Sequence, residues 1–248
     1  MEKCERVARK LRESRHAVVL TGAGISVESG IPDFRSAGGL WSRYDPDEYG
    51  RVESFHADPA KVWKMFLEMD ELFAGARPNA AHLALARLEE RGLVKAVITQ
   101  NVDSLHWKAG SRKVIEYHGH NRTMSCTECG RHVMREAVSL EILPPACSCG
   151  GVLRPDFVLF GESVPAHAYH EGNEEAGRCD LLMVVGTSAT VAPASWLPLL
   201  ARKRGALIVE INPSHTELTS TLAHLYIPER AGEALPAIVA ALDRLGLS

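Results

Sequence analysis

No stretch of the 248-residue chain approaches the roughly 18 uncharged apolar residues of a membrane-spanning helix, which excludes an integral α-helical membrane protein. The N-terminus also lacks the apolar core of a secretory leader. Met1-Glu2-Lys3-Cys4-Glu5-Arg6 runs straight into an amphipathic pattern of Cys4, Val7, Ala8 and Leu11, so the expected location is cytoplasmic. Neither charge is in excess: 28 basic residues face 31 acidic ones, for a net charge of −3. A general electrostatic affinity for nucleic acid or anionic membrane is therefore not expected, and the partner should be more specific. Internal repeats, low-complexity tracts and long linkers are absent too. What remains is an ordinary globular composition, 46% hydrophobic and 24% charged, at a length that suits one α/β domain carrying an insert.

Cysteine is sparse and uneven. Cys126, Cys129, Cys147 and Cys149 fall within 24 residues, while Cys4 and Cys179 stand alone. Paired cysteines at short spacing in a reducing compartment read as zinc thiolates rather than disulfides, and the two single ones read as buried side chains. Four protein ligands leave no open position, so one zinc per chain is expected in a structural role.

Short β-branched and aliphatic runs at 17–20, 94–99, 181–185 and 207–211 suit strands covered on both faces of a parallel sheet. Between them lie helical patterns. Pro78-Asn79 opens one, Ala81, Leu85 and Leu88 give its apolar stripe, and Gly92 closes it. The expected fold class is α/β, a doubly wound, Rossmann-like parallel sheet. Residues 33–77 and 120–156 interrupt the alternation and are expected to form a smaller inserted domain, a helical module plus a zinc ribbon. Residues 1–32, 78–119 and 157–248 then make up the sheet domain.

The first strand runs into Thr21-Gly22-Ala23-Gly24-Ile25-Ser26, where glycine would let the backbone come close to a phosphate. Alone this is plain turn chemistry as readily as a nucleotide site. The continuation Gly30-Ile31-Pro32-Asp33-Phe34-Arg35 adds an acid, an aromatic and a base on an expected loop.

These two segments together resemble the signature of the sirtuins. Thr99-Gln100-Asn101-Val102-Asp103 resembles that family's Gln-Asn-hydrophobic-Asp motif, Tyr117-His118-Gly119 its His-Gly motif, and Arg154-Pro155 with Phe160-Gly161-Glu162 its Phe-Gly-Glu loop. Gly186-Thr187-Ser188 and Asn212 match later segments, so the resemblance spans nearly the whole chain in the family's order.

The resemblance implies an NAD-dependent protein-lysine deacylase. NAD is consumed as a co-substrate, nicotinamide is released, and the acyl group passes from lysine to give O-acetyl-ADP-ribose. His118 is implied as the catalytic base, with an intrinsic pKa suited to accepting a proton near neutrality. Asn101 and Asp103 are implied as catalytic partners on the nicotinamide side, where Asp103 and the backbone of Ile31 receive the carboxamide, with Gln100 and Val102 beside them. Phe34, Asp33 and Trp41 belong to the implied loop over the reactive ribose, Phe34 excluding water. Gly22, Ala23, Gly24, Ser26 and Arg35 are expected toward the phosphates and ribose. Gly186, Thr187, Ser188, Asn212, Pro213, Ser214 and Ala231 are expected around the adenosine half.

The partners implied are acyl-lysine proteins or peptides, taken as an added strand between Val158, Phe160, Gly161 and Glu162 on one side and Val191 on the other. Family members that remove succinyl or malonyl groups carry a Tyr-x-x-Arg pair where this chain has Phe66 and Met69. An apolar floor of those two residues implies neutral acyl groups.

Two departures stand out. The second cysteine pair is Cys147-x-Cys149 where the family has two intervening residues, and His120 follows His118-Gly119 where a small polar residue is expected. An ADP-ribosyltransferase or NAD glycohydrolase, or an NAD-sensing module without turnover, remains open at this stage.

Overall fold

A computed structural model describes residues 2–34 and 36–246. The chain opens with α1 (Glu2–Glu13), whose apolar face of Cys4, Val7, Ala8 and Leu11 is buried, and enters β1 (Ala17–Thr21), buried at every position. An excursion follows through α2 (Pro46–Tyr49), α3 (Val52–Ala57) and the longer α4 (Pro59–Gly75). The chain returns to the sheet through α5 (Ala80–Glu90) and β2 (Val94–Thr99), then passes α6 (Leu105–Lys108) and β3 (Val114–Glu116). A second excursion builds β4 (Gly119–Cys126), β5 (His132–Met134) and β6 (Leu153–Phe157). The remainder alternates as α7 (Ala166–Arg178), β7 (Leu181–Val185), α8 (Trp196–Lys203), β8 (Leu207–Ile211), α9 (Glu217–Thr221), β9 (Leu225–Ile227) and α10 (Ala231–Arg244).

The main sheet has the order β3-β2-β1-β7-β8-β9, parallel throughout. Helices cover both faces, which is why β1 and β7 carry no polar interruption. On one face Leu11, Leu85, Leu88, Leu235, Ile238 and Leu242 pack against the strands; on the other Tyr117, Ala176, Leu197 and Ala201 do. The four expected strands are present, and β3 and β9, three residues each, join the edges. Asn79 caps α5 in a capping box with His82, and Gly92, at φ +69°, ends the following turn.

The smaller module holds the antiparallel sheet β5-β4-β6 and a third apolar cluster in which Phe55, Trp63, Phe66 and Phe157 meet. Both interrupting regions feed this cluster. Among the described residues no helix is long and apolar enough to cross a membrane.

Two interior histidines carry a consequence for stability. His82 and His106 are buried with ring centroids 4.9 Å apart, and burial lowers their pKa values to about 4 and about 3. Between pH 6.5 and about 4 the unfolded chain binds protons that the native state refuses, so stability falls as pH drops through this window and is unaffected above it. At about 1.4 kcal/mol per unit, His82 alone accounts for roughly 3 kcal/mol. Urea midpoints measured from pH 7.5 to 4.5 should fall accordingly, and His106→Leu should flatten the slope; equal slopes in both proteins would reject the assignment.

Candidate active site

The sheet order reverses between β1 and β7, and ligands of doubly wound sheets bind in the crevice beyond the carboxyl ends of strands at such a point. A cleft of about 660 Å³ lies there, between the sheet and the smaller module. The turn after β1 and the turn after β7 interlock at its base. A Cβ on Gly24 would sit 2.8 Å from Gly186, and one on Gly22 would sit 2.6 Å from the Thr187 side chain. The amides of Gly22 and Gly24 donate to Val185 and Gly186 carbonyls at 3.1 and 2.8 Å. These glycines therefore serve loop-to-loop packing, not only the close approach of a phosphate that the sequence suggests.

β2 delivers the central polar cluster. Asn101 donates its side-chain amide to the Gly22 carbonyl and Ser26 Oγ, 3.1 Å each, and Ser26 Oγ donates to Asp103 at 2.7 Å. Burial raises the Asp103 pKa, opposed by bonds from the Leu105 amide and Ser26. The next residue, Ser104, takes a left-handed backbone at φ 61°, and its hydroxyl is held by Asn121 and Arg122. Gln100 reaches across to Thr187 Oγ1 at 3.0 Å. The Ile31 amide already donates to Ser26 O at a long 3.3 Å.

His118 follows β3 at the edge of the cleft. Its Nδ1 lies 3.2 Å from the Gln100 carbonyl, so Nδ1 carries the hydrogen and Nε2 the lone pair. Burial lowers its pKa, only partly offset by that carbonyl, and keeps the ring neutral. Gly119 is required by its surroundings: φ is +76°, and a Cβ would lie 2.2 Å from the Asp156 carbonyl.

Every expected site residue outside the cysteine cluster lines this cleft except two. Arg35 lies outside the described residues. Phe66 points into the third apolar cluster, stacked on Phe55 at 5.9 Å and edge-on to Phe157 at 5.2 Å, so it is a core residue rather than a wall of the cleft. Met69 does line the cleft, joined by Met65, Leu72 and Phe73. Those three stand at i−4, i+3 and i+4 from Met69, and helical periodicity taken from Met69 would have found them. Neighbouring Glu68 and Asp70 turn away, toward Arg43 with Tyr44 and toward Arg135.

Glu162 is occupied internally. It accepts two bonds from Arg154 at 2.6 and 2.8 Å and one from the Leu159 amide; burial opposes its ionisation, but these donors hold its pKa low. Its carboxylate fixes the loop rather than reaching into the cleft. His215 and Arg230 line the cleft beside Asn212, Pro213, Ser214 and Ala231 without any motif to announce them. Phe34, Trp41 and Phe160 form a tilted series, 5.3 and 6.1 Å between centroids, along the mouth.

The four clustered cysteines meet at one end of the small sheet, all sulfur atoms within 4.8 Å of one another. Cys126 to Cys149 is 3.5 Å and Cys129 to Cys147 is 3.8 Å. A disulfide needs about 2.05 Å, whereas a tetrahedron with zinc–sulfur bonds of about 2.3 Å has edges of about 3.8 Å. The donor set therefore fits zinc, and the shortened Cys147-x-Cys149 pair closes it. Backbone amides facing Cys126 and Cys147 lower both thiol pKa values.

The chain matches the Sir2 family over residues 22–193. It is 48% identical over 240 residues to NAD-dependent protein deacylase 2 of Pyrobaculum aerophilum, covering 96% of this chain and 95% of that one. A solved Sir2 homologue in complex with 2′-O-acetyl-ADP-ribose superposes with a TM-score of 0.92 at 43% identity, and a Sir2 bound to p53 peptide and NAD+ with 0.87 at 36%, each covering 98% of both chains. Motifs, topology and cleft agree with these likenesses: the chain belongs to the Sir2 family.

Proposed function

We infer that this Sir2-family chain, an NAD-dependent protein deacylase, moves a neutral acyl group from lysine to ADP-ribose and releases nicotinamide with O-acetyl-ADP-ribose. The observation that carries the reading is His118, half-buried with its pKa lowered, its Nδ1 tied to Gln100 and Nε2 left as the base on a cleft it shares with Asn101 and Asp103. When bound, NAD supplies an activated ribose carbon with nicotinamide as its leaving group.

The residues divide the work along the cleft. Asp103, with Asn101 and the Ile31 backbone, holds the carboxamide, and Val102 lies beside them. Ser26 and the turn Gly22-Ala23-Gly24 face the phosphates; Gly186, Thr187, Ser188, Asn212, Pro213, Ser214 and Ala231 face the adenosine half. Phe34, packed on Trp41 and neighboured by Asp33, excludes water from the ribose. His118 Nε2 takes a proton from a ribose hydroxyl.

An extended acyl-lysine peptide pairs its backbone with Val158–Gly161 on one side and with Val191 on the other, which fixes register without demanding a sequence. Residues 33–77 and 120–156 form the smaller domain and the other residues the sheet domain, so the cleft lies at their junction. The zinc holds that smaller domain together.

The acyl end is apolar, walled by Met65, Met69, Leu72 and Phe73. A succinyl carboxylate entering it would lose water without meeting a cation. The ratio kcat/KM on an acetyl-lysine peptide should exceed that on the matched succinyl peptide by at least about tenfold, the factor that 1.4 kcal/mol of uncompensated charge produces; equal or reversed values would reject it. The reading as a whole is tested by mass spectrometry of an acyl-lysine peptide panel with and without NAD. Nicotinamide release that ignores the peptide would point instead to ADP-ribosyl transfer or NAD hydrolysis.

A further inference from the structure

His106 is 2% exposed and His82 fully buried, yet neither has a charged partner, and His106 Nδ1 and His82 Nε2 have no protein hydrogen-bond partner among the described residues. Unpartnered buried nitrogens destabilise a fold, so packing alone would favour an apolar ring at either place. What His106 gains in exchange is one bond, from Nε2 to Thr21 Oγ1 at 2.9 Å.

That bond starts a chain. Thr21 Oγ1 donates to Thr99 Oγ1 at 2.9 Å, so its lone pairs face His106, and the hydrogen on the ring lies at Nε2. Thr99 Oγ1 also accepts the Asn101 backbone amide at 3.0 Å. Asn101 then grips the Gly22 carbonyl and Ser26 Oγ, and Ser26 reaches Asp103. A run of hydrogen bonds, joined through Asn101's own backbone and side chain, thus leads from the buried ring to the polar groups that line the cleft.

We propose that His106 is a positioning residue for the nucleotide half of the cleft, setting the place of Asn101 and of the Gly22–Ser26 turn through Thr21 and Thr99. The proposal rests on the reading that NAD binds there. His106 does not itself line the cleft, and the groups it reaches through Thr21 are those read as holding the nucleotide, so its effect is expected there.

The test compares His106→Leu, which fills space without a donor, with His106→Gln, whose side-chain amide can still donate to Thr21. ADP-ribose affinity by calorimetry gives a readout independent of turnover. His106→Leu should weaken ADP-ribose binding and raise the KM for NAD by about tenfold, while the KM for acyl-peptide stays within about twofold. His106→Gln should recover most of the loss. Thr21→Val, nearly isosteric, should reproduce the leucine effect and carries the test if His106→Leu does not fold. A folded His106→Leu or Thr21→Val protein that binds ADP-ribose as wild type does would overturn the proposal, as would equal rises in both KM values. Wild-type protein that fails to bind ADP-ribose would instead overturn the nucleotide reading, and this proposal with it.

Discussion

Replacing His118 by alanine is expected to lower acyl-lysine removal by about 10² to 10⁴, the loss typical when a general base is deleted. The side chain makes one bond, to the Gln100 carbonyl, and its ring borders the cleft rather than the apolar clusters, so the fold should survive. Nicotinamide exchange should be retained better than product formation, because the base acts after that bond has broken. The wild-type pH profile carries a second signature. Burial lowers the His118 pKa, so the base form persists below the ordinary value of about 6.5, and the acid limb of kcat/KM should fall below that value and vanish in the mutant. His120, also lowered by burial and half-buried between Arg122, Glu116 and Asp156, does not line the cleft, so His120→Ser should leave the limb in place. Near wild-type deacylation by the alanine protein would remove His118 from the mechanism.

The parts of this molecule that the sequence discloses are those set by local chemistry. Strands β1, β2, β7 and β8 are covered on both faces and so read as near-continuous apolar runs, with a charge only at Lys95 in β2 and Glu210 in β8, while β3 and β9 are too short to rise above the background. The helix stripe of α5 and its Asn79 cap are legible for the same reason. Tertiary relations are less so. Gly22 and Gly24 look like phosphate glycines in isolation, and only the neighbouring turn at Gly186 reveals the packing they permit. Phe66 was expected on the acyl floor by its place in a motif, but the helix turns that position inward and presents Met65. Glu162 lines the cleft in the loop expected to pair with peptide, and only the structure reveals that Arg154, eight residues away, takes its carboxylate. His106 joins Thr21 across 85 residues, a pairing no spacing rule anticipates.

Zinc removal should produce the other large effect. Purified protein is expected to hold about one zinc per chain, with four thiolates closing the site so that the metal takes no part in chemistry. Cys126→Ala leaves three ligands and an opening beside the third apolar cluster, where Cys126 and Cys147 are themselves buried. The adjoining strand β6 is tied to α4 through Trp63, whose indole nitrogen donates to the Leu153 carbonyl at 3.0 Å, so loosening the metal should loosen the cleft wall that Met65, Met69, Leu72 and Phe73 form. Structural zinc contributes about 10–16 kcal/mol in isolated finger peptides. If a quarter of that is lost here, the Tm should fall by on the order of 10 °C for a chain of this size. The damage should be local: Trp63 fluorescence and acyl-peptide KM should change, while ADP-ribose affinity, set by the sheet domain, should hold. Cys179→Ala, at a buried cysteine far from the cluster in sequence, should keep the metal in full. Metal analysis that finds no zinc in freshly prepared, active protein would sink the assignment, and the close approach of the four sulfurs would then need another cause.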